Sequence, residues 1–198
     1  LTTFNRLEQA AAALKQVLVL DPAYPRALAS LGYTYATLGR SALAVEQFRA
    51  ALCVHPEDAT VLFDLGFVYQ QIQQHEPALE SFQNAVRVKP RLDRAWYGMG
   101  LSLRALGRNE EALNAFERAA ALQPMIGFAF YEIGMTQQAL GRKDKVDEVL
   151  SHLASFDRKL ANKLAHDAGL AQPLPRPGTI ATSGLSRETI VGTMTRCL

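Results

Sequence analysis

The chain has 198 residues and a net charge of +2, from 21 basic against 19 acidic side chains. That balance is too slight for the electrostatic footprint of a nucleic-acid binder, and no basic run exceeds a few residues. No apolar run approaches the roughly 18 residues that a membrane span needs, and Cys53 and Cys197 make neither a disulfide framework nor a metal site.

From Pro25 the chain repeats itself every 34 residues, with new copies at Ala59, Asp93 and Gly127. Residues 1–24 read as the second half of an earlier copy, with Ala10, Leu14, Val17 and Pro22 at the matching places and no first helix. Such a half-unit leaves bare the face its missing partner would cover. Leu1 rather than Met opens the chain, which leaves both a removed signal peptide and a trimmed start open, and for the bare face a truncated repeat is favoured over some other element packing there.

Within each unit, position 4 is Leu28, Leu62, Trp96 and Phe130, position 7 is Leu31, Leu65, Met99 and Ile133, and position 8 is Gly32, Gly66, Gly100 and Gly134. Position 11 is Tyr35, Tyr69, Leu103 and Gln137. These fall on one stripe of a helix, because residues three and four apart share a face. A second stripe follows at positions 20, 24 and 27: Ala44, Phe48 and Ala51, then Ala78, Phe82 and Ala85, then Ala112, Phe116 and Ala119. Pro56, Pro90 and Pro124 close the first three units.

Each unit is therefore a helical hairpin. Leu-Gly-Arg at Leu38–Arg40, Leu106–Arg108 and Leu140–Arg142 marks the turn, where Gly accepts the left-handed conformation that ends a helix. Gln73 holds that place in the second unit, which predicts its most strained turn. Ser41 and Asn109 are read as N-caps of second helices, and Pro77 as a first-turn proline.

The fourth unit drifts in its second helix, where Val146, Leu150 and Leu153 replace Ala, Phe and Ala, as a terminal unit does. Asp157 to Asp167 reads as one more amphipathic helix, a lid on the last hairpin ending at Gly169. Residues 25–168 thus make four units and a capping helix. The tail, residues 169–198, changes character with Pro173, Pro175 and Pro177. Leu174, Ile180, Leu185, Ile190, Val191 and Met194 give it apolar contacts, and residues 186–194 are expected to form a short helix.

The succession of Leu or aromatic, Leu-Gly, Tyr, Ala, Phe and Pro at these offsets resembles the tetratricopeptide repeat (TPR). The resemblance covers residues 25–160 and, in half-form, residues 1–24. It implies an all-α fold, a right-handed solenoid of helical hairpins, whose first helices line a concave face.

Catalytic constellations do not emerge. His55, His75, His152 and His166 have no partner at i+4, and no metal-binding, phosphate-loop or nucleophile-elbow motif occurs. Glu110 and Glu111 complement a helix dipole. The expectation is no enzyme, no cofactor and no metal.

The informative residues sit on the other side of each first helix. Positions 5 and 9 hold Ala29 and Tyr33, Phe63 and Phe67, Tyr97 and Leu101, and Tyr131 and Met135. Around them stand Arg26, Arg94 and Phe128 at position 2, Asp64 and Glu132 at position 6, and Arg104 at position 12. An apolar strip of this kind is expected to take a peptide or amphipathic segment of another protein. The competing reading is that these side chains pack on the next unit. The Lys and Asn pattern of chaperone-tail-binding TPRs is absent, since Ala29, Tyr33, Asp64, Arg94 and Gly98 hold its places.

The function expected from sequence is an adaptor, in a cytoplasmic setting. Two rivals stand beside it: a substrate-recruiting arm of a larger enzyme, and a homo-oligomer assembled through the tail or the bare N-terminal helix.

Overall fold

The computed structural model describes residues 2–124 and 127–170. Among the described residues the chain forms ten helices and no strand: α1 (Thr2–Leu20), α2 (Pro25–Thr37), α3 (Ser41–Val54), α4 (Ala59–Gln71), α5 (His75–Val88), α6 (Asp93–Ala105), α7 (Asn109–Leu122), α8 (Gly127–Ala139), α9 (Lys143–Ala154) and α10 (Arg158–Asp167). The tail contacts and the helix expected over 186–194 lie outside the described residues.

Helices of 13 or 14 residues are marginal alone in water. Each is held by its neighbours: α2 with α3, α4 with α5, α6 with α7 and α8 with α9 form antiparallel hairpins, and each second helix also packs on the first helix of the next unit. The stripes predicted from the period make these contacts. Phe48, Phe82 and Phe116 are almost fully enclosed, against Ala44, Ala78 and Ala112. A Cβ placed on Gly32 would come within 2.7 Å of Phe48, and one on Gly100 within 2.6 Å of Phe116, so close approach of the two backbones requires glycine there.

Gly39, Gly107 and Gly141 adopt φ of 74–75°, and Gln73 takes the same conformation at 60°. Its turn keeps the hydrogen bonds of the glycine turns: Gln74 N–H donates to the Tyr69 carbonyl at 2.9 Å, as Arg40 N–H does to Tyr35 at 2.8 Å. The strain is therefore conformational, with no bond lost.

One local expectation is corrected. Ser41 and Asn109 are the first helical residues of α3 and α7, and Arg40 and Arg108 occupy the cap positions without a side-chain cap bond. The Schellman bond at the end of the preceding helix uses the Arg backbone N–H, which fixes the chain so that Ser and Asn enter the helix one place later. Asp58 and Asp157 do cap: Asp58 accepts from Thr60 and Val61, and Asp157 accepts from Leu160.

At the N-terminal end α1 stands against α2 as α7 stands against α8. Glu8 of α1 pairs with Arg40 at 2.5 Å, and Glu110 of α7 pairs with Arg142 at 2.6 Å, the same two repeat positions three units apart. Ala11 is buried, and Leu14 and Leu18 pack on the same cluster, while Val17 on the open side is 39% exposed.

At the other end α10 packs on both α8 and α9. Leu164 is fully buried and sits over Gly134, the place that Phe48, Phe82 and Phe116 take over Gly32, Gly66 and Gly100. With Leu150 where that Phe would be, the capping helix supplies the missing apolar group.

Candidate functional site

Positions 5 and 9, one turn apart, have different fates. Position 5 belongs partly to the hairpin: the Phe63 ring lies 5.9 Å from Phe82, and the Tyr97 ring 5.7 Å from Phe116, each within its own unit. Both are half-buried. Position 9 opens outward in the first two units, where Tyr33 is 61% and Phe67 47% exposed. Leu101 and Met135 are half-buried.

Phe67 extends the aromatic row, stacked on Phe63 at 6.5 Å between centroids. Together with Gln70, Phe82, Asp93, Arg94, Tyr97, Gly98, Leu101, Ala119, Phe128 and Ala129 they enclose a hollow of about 340 Å³. Phe128, 64% exposed, stands at its edge. Arg94 lies over the Phe63 ring at 5.0 Å, which holds a cation at the rim. On the other side of Phe67 a smaller recess of about 170 Å³ is lined by Tyr33, Ala36, Thr37, Phe48, Asp64, Val68 and Gln71.

The structure thus gathers Phe63, Asp64, Phe67, Arg94, Tyr97, Leu101 and Phe128 around two adjoining depressions, with Tyr33 beside the second. It sets the others apart. Arg26 and Ala29 border a wide cleft near the loops, with His55, Pro56 and Glu57. Arg104 is ion-paired with Glu132, which is only 8% exposed, a close ionic contact without hydrogen-bond geometry. Tyr131 donates to Asp167 of α10 at 2.6 Å and accepts from Lys163 at 2.8 Å. Met135 packs in the cluster that α10 closes.

Electrostatics follow burial. Desolvation pushes the Asp64 carboxyl up to about 6, against the opposing charge of Arg94 and with help from Asp58. Burial likewise raises Glu132, although Arg104 and Lys163 oppose it. Tyr97 is pushed up to about 12, first by desolvation and then by the Glu132 charge.

Ala36, Gln70 and Gln71 lie outside the apolar pattern of positions 5 and 9, because they stand at positions 12 and 13 of their units. A signal existed in the 28-residue offset between position 12 of one unit and position 6 of the next, which pairs Ala36 with Asp64, Gln70 with Gly98 and Arg104 with Glu132. Among the described residues no group of three His, Cys, Asp or Glu side chains is placed to hold a metal, and no helix is long and apolar enough to cross a membrane.

Models of the tetratricopeptide repeat match residues 25–54, 59–92 and 93–125, and a TPR repeat model matches residues 5–39. The chain belongs to the tetratricopeptide repeat family. The TPR match beginning at residue 5 includes most of α1.

Solved TPR structures are similar along most of the chain. YrrB, described as a TPR protein with an unusual peptide-binding site, aligns at 27% identity and a TM-score of 0.74, over 85% of this chain and 86% of its own. A MamA structure aligns at 24% identity and 0.72, over 85% and 94% of the two chains. MamA from Desulfovibrio magneticus RS-1, beginning at its residue 41, aligns at 24% and 0.69, over 81% and 86%. The MamA likenesses speak for the TPR fold alone. No curated protein matches the sequence significantly.

Proposed function

We propose that this chain is a non-enzymatic interaction scaffold that holds an apolar or amphipathic segment of another polypeptide on the face formed by α2, α4 and α6. The observation that carries this reading is Phe67. This large aromatic ring, half-exposed, stands between two depressions and walls both. Isolated exposed rings are common, but this one continues a row through Phe63 to the buried Phe82 and faces Leu101 and Phe128 across a hollow.

The likeness to a TPR protein described as peptide-binding supports the same class of function. A hollow of about 340 Å³ suits one or two side chains of a docked segment, in the manner of helix-in-groove or extended-peptide recognition.

The test compares the full chain with its Phe67→Ala variant as bait, with captured proteins identified by mass spectrometry and helicity followed by circular dichroism. Partners retained by the parent and lost by a fully helical variant support the reading. Equal capture by both, or a variant that melts, removes it.

A further inference from the structure

Every junction between successive units has a slot at its inner edge, which position 12 of the first helix faces. Gln70 fills one, donating from Nε2 to the Gly98 carbonyl and to Ser102 Oγ, both at 3.2 Å. Arg104 fills the next with its guanidinium against Glu132. Gln138 fills the last, donating to the Ala168 carbonyl of α10 at 2.9 Å. Between the first two units the corresponding residue is Ala36, which has no polar group to send across.

The acidic partner is nevertheless present. Asp64 occupies the position of Glu132, two units earlier, and among the described residues its carboxyl group makes no hydrogen bond and no ion pair. Ala36 and Asp64 line the same recess of about 170 Å³, so the space a long basic side chain takes at the later junction is open at this one. The nearest relief is Arg94 of α6, whose guanidinium lies over Phe63 and acts on Asp64 only through its field. Asp58, ahead of α4, works against it.

We propose that the docked segment supplies the missing cation: a Lys or Arg side chain enters the Ala36–Asp64 recess, while a neighbouring apolar side chain crosses Phe67 into the larger hollow. This rests on the groove reading above and adds the chemistry of the occupant. The Arg104–Glu132 pair is the internal template, showing that the slot geometry of this array accepts a guanidinium beside a carboxylate at position 6. The half-buried Asp64 carboxylate pays a desolvation penalty in the free chain, and a ligand cation offsets it.

The test pans a random peptide display library on the full chain and measures the enriched peptides against three variants. Enriched sequences are expected to pair a basic residue with a nearby aromatic or large aliphatic one. Asp64→Asn is expected to weaken them about tenfold, the size of one partly desolvated ion pair. Ala36→Arg, which brings the cation from within, should give a similar loss with no fall in melting temperature. Peptides that depend on Phe67, as shown by Phe67→Ala, yet carry no basic bias overturn the cation slot and leave the groove reading standing. Basic peptides that bind Asp64→Asn as tightly as the parent also overturn it. If nothing is enriched, both readings fall together.

Discussion

The Phe82 ring serves two units at once: it lies against Gly66 of its own hairpin and against Gly98 of the next. A Cβ on Gly98 would come within 2.6 Å of Phe82 Cζ. Phe82 is fully buried, so its ring has no free direction in which to retreat. In an array where each unit leans only on its neighbours, this contact couples the second hairpin to the third.

Gly98→Ala is therefore expected to destabilise the array by about 1–3 kcal/mol, through overpacking at a junction. Its denaturant transition should broaden if the two halves begin to unfold separately, which circular dichroism in urea measures. A change within about 0.5 kcal/mol would show that Phe82 relaxes without cost.

At the second-unit turn, Gln73 holds a left-handed φ of 60° with a side chain that this region disfavours. The strain is of order 1–2 kcal/mol for a residue with a Cβ, part of which glycine returns through unfolded-chain entropy. Gln73→Gly is expected to stabilise the chain by about 0.5–1 kcal/mol, read from chemical denaturation. The converse change, Gly107→Gln, should cost a similar amount.

The Asp64 carboxyl has its pKa raised in the folded chain, from 3.8 to about 6. Between those values the folded chain holds a proton that the unfolded chain has released, so stability falls as pH rises through this window. Asp64→Asn removes that loss. The variant is expected to melt with the parent near pH 4 and above it near pH 7, while losing affinity for basic peptides. A variant less stable than the parent at pH 7 would mean that the ionised Asp64 supports the fold. The charges acting on the group are Arg94 from α6 and Asp58 ahead of α4, so an Arg94→Gln background should move the folded pKa further up.

Leu164 of α10 is fully buried over Gly134 and completes the last hairpin. Leu164→Ala is expected to cost about 2–5 kcal/mol in the terminal unit, as other deletions of buried leucine do. Hydrogen exchange should show the loss concentrated in α8 to α10, with α2 to α5 unchanged, because nearest-neighbour coupling falls off along the array. Uniform loss of protection would indicate that the chain unfolds as one unit.

Sequence by itself determined the helical hairpins, their number from Pro25 onward and the faces they bury. A 34-residue period in which small residues and Phe recur at fixed offsets marks the buried face of each helix, and the turn positions, glycine in three units and Gln73 in the other, were legible for the same reason. The split within the apolar strip was not. Helical spacing says that positions 5 and 9 share a face, but only the tilt of one helix on the next sends Tyr97 onto Phe116 and leaves Phe67 open. Likewise, Arg104 and Glu132 stood in the sequence as two charges fringing a groove. Their pairing, and the unfilled counterpart at Ala36 and Asp64, exist only because stacking brings position 12 of one unit against position 6 of the next. Periodicity fixes direction around a helix axis, whereas distance across a junction is set by how whole hairpins lean together.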